Sequence, residues 1–343
     1  MIYIGMDISS KSFVVHAINE KKAVIYKGEI EPTRQGLRKL LGKLSRERKL
    51  IVFEAGNQLK WIAQELQRHE GVDIHVVHPN EIKWISQSSG KTDKIDAKKL
   101  AELARGDMLP RKVHIVEGKI RELRELLSGR QQLQSKRVAL INSIRGQIKQ
   151  EGYSLPEKFF QRGDWRERLE KMKVGRVQKV IIEQFMNSIE SLETAEAELT
   201  RQIAAIEDKH IELVESIPAI GVLSSRVIVS ALDRAERFDN KKCAAKYGAL
   251  TPRIYQSGGT THLGRIARDG RQEVRRVLLQ CAHTIGRMKS HAARPLREFF
   301  ERIRRRRGKK IAVVAVARKL LTIAYGVLKS GKAYDPALIQ ART

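Results

Sequence analysis

Apolar and polar residues alternate in short runs over the first thirty positions. Residues 2–8 (Ile-Tyr-Ile-Gly-Met-Asp-Ile), 13–18 and 23–30 are rich in β-formers and separated by turn-like or charged residues. This pattern predicts an antiparallel meander. A helix is expected from about Thr33, then a strand over residues 50–53 ending at Glu54. Helix follows over residues 58–69, strand over 74–77, and helix again from Thr92. Three strands followed by alternating helix and strand is the order of a ribonuclease-H-like α/β domain.

The period then lengthens. Residues 120–150 read as one long basic helix with Leu123, Leu126, Leu133, Ile141, Ile144 and Ile148 on a stripe. Residues 151–176, with Gly152, Pro156, Gly163 and Gly175, read as a connection. Beyond them Ile182, Phe185, Ile189, Leu192, Leu199, Ile203, Ile206 and Leu213 keep a 3–4 repeat, with gaps at Glu196 and His210. A coiled coil, a long antiparallel helix pair and an amphipathic helix packed within one chain all satisfy that repeat. From Ile217 onward the chain reads as mostly helical. The expected organisation is α/β plus α, with domains at 1–115, 116–212 and 213–343.

Charge narrows the function. The 343 residues carry 67 Lys and Arg against 39 Asp and Glu, a formal net charge of +28. Such an excess suits phosphate neutralisation and steeply salt-dependent binding to nucleic acid. An anionic membrane surface is the competing partner for a basic chain. The most apolar late stretch, residues 311–328, is interrupted by Arg318 and Lys319 and reads as a buried helix, so no membrane partner is expected. With only 5% aromatic residues, base stacking is not the main binding mode. Cys243 and Cys281 lack metal-type spacing and sit in apolar surroundings, which predicts buried free thiols in a reducing cytoplasm. Asp7 and Lys11 interrupt the place where a signal peptide needs an apolar core.

In so basic a chain, four carboxylates stand out by position. Asp7 and Glu54 end apolar strands, and Asp93 and Asp96 lie three apart, on one face of a helix. Converging hard oxygen donors suit Mg²⁺ (or Mn²⁺) held against a phosphate. Taken singly, a strand-end Asp serves a turn, and an Asp pair at a helix start complements the helix dipole. The joint placement is what favours a metal site.

Two further features are weaker. Ile217-Pro218-Ala219-Ile220-Gly221, followed by a small-residue helix, has the form of a helix-hairpin-helix turn, although a structural cap explains it equally. Arg304, Arg305, Arg306 and Arg307 open a basic run that fits either a solvated face or phosphate contact.

Met6-Asp7-Ile8-Ser9, Phe53-Glu54-Ala55-Gly56 and Lys91-Thr92-Asp93-Lys94-Ile95-Asp96-Ala97 together resemble the Asp-Glu-Asp-Asp transposases of insertion-sequence family 110 and the related Piv-type DNA invertases. The resemblance continues at Ile217 to Gly221, and is strongest in Lys246-Tyr247-Gly248-Ala249-Leu250-Thr251-Pro252-Arg253, Gln256-Ser257-Gly258-Gly259 and Gly264-Arg265-Ile266. It implies a RuvC-like N-terminal domain carrying the four acids, a coiled-coil segment and a C-terminal transposase domain with a nucleophilic serine at Ser257. It also implies recombination of donor and target double-stranded DNA through a covalent serine–DNA intermediate. A structured bridge RNA as guide, and a homodimer or homotetramer in which the acids of one protomer meet the serine of another, follow from the same resemblance. So does a cytoplasmic, nucleoid-associated location in a prokaryote. Arg271 after Gly270 departs from the pattern, where relatives more often carry Asn.

Read from the residues alone, Gln-Ser-Gly-Gly is a flexible turn whose glycines let a phosphate approach the hydroxyl, and Ser257 reads as an ordinary turn serine; the resemblance is what makes it a nucleophile. A serine hydroxyl needs activation, which the acids with their metal would supply. Arg253, Arg265 and Arg268 flank the turn as candidate phosphate contacts. Tyr255 invites a tyrosine-recombinase reading, but only His262 and scattered arginines support it. The rivals to a serine recombinase are a RuvC-like metal nuclease or resolvase using water, and a non-catalytic nucleic-acid scaffold.

Overall fold

The computed structural model describes residues 1–82, 93–257, 260–267 and 269–340. The chain divides into two compact units, Met1–Ile115 and Val116–Thr343.

The first unit contains β1 (Ile2–Ile8), β2 (Phe13–Asn19), β3 (Val24–Ile30), α1 (Arg34–Lys43), β4 (Lys49–Glu54), α2 (Leu59–Leu66), β5 (Val72–Val77) and α3 (Asp93–Arg105). The strands form one mixed sheet in the order β3-β2-β1-β4-β5. β1, β2 and β3 pair antiparallel, whereas β4 runs parallel to both β1 and β5. Strand alternation sorts the side chains onto two faces. Ile2, Ile4, Met6, Ile51 and Phe53 enter a core closed by Leu37 and Leu40 of α1 and Ile62 and Leu66 of α2. Each such fully buried side chain contributes about 1.5–3 kcal/mol. On the opposite face, Tyr3, Leu50 and Val52 pack with Leu100, Leu103 and Ala104 of α3. Thr33 caps α1 by accepting a hydrogen bond from the Gly36 amide at 3.0 Å.

In the second unit, α4 (Gly118–Gln150) and α6 (Arg176–Ala204) lie antiparallel. Arg130 reaches Glu196 and Thr200, while Arg137, further along α4, reaches Glu193 and Glu196. The apolar repeat therefore packs within one chain. Its gap at Glu196 is filled by ion pairs at 2.7 Å to Arg130 and 3.3 Å to Arg137. The segment expected to be a mere connection holds a single 3₁₀ turn, Phe159–Gln161, and α5 (Trp165–Glu170). Their Phe159, Trp165 and Leu169 close a core with Ile144, Ile148 and Ile182.

The remainder comprises α7 (Lys209–Glu215), α8 (Val222–Leu232), α9 (Lys241–Tyr247), β6 (Pro252–Ser257), β7 (Thr260–Ile266), α10 (Gln272–Ile285), α11 (Arg294–Arg307), α12 (Lys309–Ser330) and α13 (Ala337–Gln340). α12 is long and apolar enough to cross a membrane, yet Ala312, Val316, Leu320 and Leu321 are buried in the core of this unit. Arg226 on α8 ties that core to the helix pair. Its guanidinium donates to the Ile203, Ala204 and Ile206 carbonyls at 2.7, 2.7 and 2.9 Å, and pairs with Glu215 at 2.8 Å. One side chain thus satisfies carbonyls at the end of α6 and just beyond it.

Two expectations change. The mostly helical C-terminal region carries the β6–β7 hairpin, whose β-branched and aromatic residues sit between turn residues. Cys243 is half-exposed, because its short helix lies at the surface, whereas Cys281 is buried.

Candidate active site and nucleic-acid interface

The parallel register pairs Met6 with Phe53, so Asp7 and Glu54 follow one step further along neighbouring strands about 4.8 Å apart. By alternation both belong to the face that carries Tyr3, Leu50 and Val52, which is the face α3 covers. Gly5 explains how α3 comes so close. A β-carbon there would collide with the Ala97 carbonyl, and would lie 2.7 Å from the Ala101 amide nitrogen. Asp96 immediately precedes Ala97 on that helix. Asp7 and Asp96 are half-buried and Glu54 is exposed. The sheet and helix therefore bring three of the four sequence-predicted acids to one end of one sheet face.

Asp96 supplies the sharpest chemical clue. Its Oδ1 is shielded from solvent and has no hydrogen-bond partner among the described residues. A buried carboxylate oxygen left in that state calls for a cation or proton. A hard-oxygen set with an orphaned buried donor fits a divalent cation. Among the described residues no group of three acids, histidines or cysteines is gathered tightly enough to hold a metal ion. The side chain of Asp93, the first residue of α3, lies outside the described residues.

Beside Asp7 the face turns basic. Val14 pairs with Asp7 across β1–β2, and His16 pairs with Lys27 across β2–β3. Val14, Val15, His16, Lys27, Gly28 and Lys94 line a cleft of about 190 Å³. His16 is buried, and its Nε2 has no partner among the described residues. Burial, then Lys27 and Lys98, hold its pKa below the usual histidine range. Neither His16 nor Gly5 was singled out from the sequence, since only strand pairing shows what each faces.

The second unit places the serine. Ser257 is the last residue of β6 and pairs with Thr260 at the hairpin tip, so it ends a strand rather than sitting in a free turn. Its side chain, and Arg268 altogether, lie outside the described residues. Arg253 on β6 and Arg265 on β7 are exposed, as are Ile254 and Tyr255. Arg304, Arg305, Arg306 and Arg307 form the exposed last turn of α11, where cations also complement the helix dipole. Gly308, at φ 83°, ends that helix and Lys309 begins α12. Ile217 to Gly221 links α7 to α8, with Ala219 at φ 68°.

An acid-bearing mixed sheet and a strongly basic helical unit with an exposed hairpin define an enzyme that works on nucleic acid. A family model for DEDD-type transposases of insertion sequence IS110 matches residues 4–152, and one described as transposase IS116/IS110/IS902 family matches residues 211–297. The chain belongs to this transposase family and is a DNA recombinase. It is 25% identical over 343 residues to the transposase for insertion sequence element IS1111A of Coxiella burnetii, covering 96% of this chain and 90% of that protein. It is also 30% identical over 125 residues to the pilin gene-inverting protein of Moraxella bovis, covering 36% of this chain and 38% of that one.

Proposed function

We propose that this transposase cuts and rejoins double-stranded DNA through a covalent bond to Ser257, using an acidic site made by Asp7, Glu54, Asp93 and Asp96. The observation that carries the acidic half is the shared sheet face of Asp7, Glu54 and α3, with the unpartnered Asp96 oxygen. The strand order β3-β2-β1-β4-β5 supports reading this unit as RuvC-like. Ser257 is supported by its place at a hairpin tip within the matched segment 211–297.

The chemistry balances as two transfers. Ser257 Oγ forms a bond to phosphorus while the bond from phosphorus to one sugar oxygen breaks. The hydroxyl proton passes to a carboxylate of the acidic set, and the departing sugar oxygen takes up a proton. A sugar hydroxyl of the exchanged end then attacks the phosphoserine linkage, which restores a phosphodiester and the serine. The four carboxylates would hold Mg²⁺ or Mn²⁺, which when bound supplies Lewis-acid polarisation of a phosphate oxygen. Arg253, Arg265 and Arg268 steady the phosphate at the hairpin, and Arg304 to Arg307 add a contact to the nucleic-acid backbone. The protein works as a homodimer or homotetramer, in which the acids of one copy meet the serine of another. A structured guide RNA selects donor and target, and the reaction takes place at the nucleoid in the cytoplasm.

Denaturing gels of protein incubated with element-end DNA and its flanking transcript test this reading. A protein–DNA adduct forms with the wild type and is lost in Ser257→Ala. Cleavage that survives Asp7→Ala in the presence of metal removes the acidic site from the reaction.

A further inference from the structure

We propose that the cleft lined by His16, Lys27 and Lys94 seats a backbone phosphate of the DNA strand that enters the acidic site. The inference rests on the acidic unit acting on DNA and not on Ser257 as nucleophile.

Strand register fixes where the cleft lies. Asp7 pairs with Val14 and Val14 with Glu29, which makes one row across β1, β2 and β3. Gly5 pairs with His16 and His16 with Lys27, which makes a second row two residues away on the same face. Asp7, His16 and Lys27 therefore share the sheet face that α3 covers. From the spacing of strands and residues, the Cα atoms of Lys27 and Asp7 are about 12 Å apart. Lys94 reaches the cleft from the helix side, as the second residue of α3 and two positions before Asp96.

His16 is the residue that apolar packing does not explain. Val14 and Ile18, next to it on the same face of β2, are buried and apolar, and position 16 itself is only 5% exposed. A histidine there gives up hydration, and its Nε2 finds no partner among the described residues. Valine or isoleucine would suit the strand without that cost. The imidazole instead lines a cleft of about 190 Å³ whose charged walls among the described residues, Lys27 and Lys94, are both cations. Lys94 stands in the first turn of α3, where a cation opposes the helix dipole and an anion is favoured. Two carboxylates lie on the same side. Glu102, which also acts on His16, pairs with Lys98 at 3.7 Å, and Glu29 stands in the row of Asp7.

Two ammonium groups and an imidazole N–H suit the oxygens of a phosphodiester, which is the anion a DNA recombinase handles. At about 12 Å from Asp7, the seated phosphate is not the one that reacts. It holds the strand a few nucleotides away, so that the reacting phosphate falls at the acids.

The test removes one charge from each side. Element-end DNA carrying a single uncharged methylphosphonate, moved position by position, is bound with its flanking transcript to Ser257→Ala protein. With the cleft intact, one DNA position should weaken binding about tenfold. Adding Lys27→Gln should weaken binding to unmodified DNA by a similar factor, lower the salt slope by about one, and make that position silent. Lys27→Arg should restore both the affinity and the sensitive position. His16→Leu should weaken binding without lowering the melting temperature, since it removes an unpaired buried nitrogen. Losses that multiply at every DNA position, or unaltered affinity in either Lys27→Gln or His16→Leu, would overturn the proposal. Because binding is read without the serine, a different nucleophile would leave these results intact, and failure of the cleft would leave the serine adduct standing.

Discussion

Gly5 of β1 lies directly beneath Ala97 of α3, so close that a β-carbon at position 5 would strike the Ala97 carbonyl. The missing side chain sets the height of α3 above the sheet and with it the height of Asp96 above Asp7. Gly5→Ala should therefore lift the helix and cost about 1–3 kcal/mol or more, as overpacking against backbone does. Urea unfolding measures the loss. DNA cleavage should fall further than stability alone explains, because the carboxylates separate.

Asp96 offers a second test through its Oδ1, which has no hydrogen-bond partner among the described residues. If the acids hold a cation, Mg²⁺ or Mn²⁺ raises the melting temperature of the wild type by mass action. Asp96→Asn should abolish that rise while leaving the metal-free protein as stable as before, since it removes a buried charge. A rise that persists unchanged in the variant argues against Asp96 as a ligand.

Glu65 predicts the response to acid. It is 1% exposed on α2, with Arg38 Nε at 2.6 Å and Arg34 NH1 at 3.0 Å. The Arg38 hydrogen bond, opposed by burial and aided by Arg34, lowers its pKa from 4.5 to about 2. The unfolded chain therefore binds a proton before the folded one does. The clamp's contribution is complete above about pH 4.5 and is lost as pH falls towards about 2. Glu65→Gln should cost about 1–3 kcal/mol at neutral pH and flatten the acid limb of a stability profile.

Arg226 joins the helix pair to the C-terminal core through three carbonyls and Glu215. Arg226→Met keeps the volume but strands those acceptors and a carboxylate, which should cost about 3–5 kcal/mol. Chemical denaturation measures it, and unfolding of the second unit should be the transition that moves.

Much of the first unit was legible in the sequence, for physical reasons. β1 occupies the expected residues 2–8, and Thr33 and Glu54 mark element ends as expected, because strand alternation and a capping residue are local signals. The 3–4 repeat announced α6 but not its partner, since apolar spacing does not say which helix fills the groove. Only the pairing of Arg130 and Arg137 with Glu196 decides that. The β6–β7 hairpin left little trace in the sequence, because its exposed Ile254 and Tyr255 carry no burial pattern. The four acids were legible as strand-end and helix-face residues. What stayed hidden was long-range: the Gly5 contact that seats α3 and the buried His16.

The proposed covalent bond between Ser257 and DNA is open to direct observation. Mass spectrometry of nuclease-trimmed, protease-digested protein, trapped on element-end DNA with its flanking RNA, reads it directly. A nucleotide remnant is expected on the peptide containing Ser257 and absent from Ser257→Ala. A remnant on Tyr255 instead, or full strand exchange by Ser257→Ala, would contradict it.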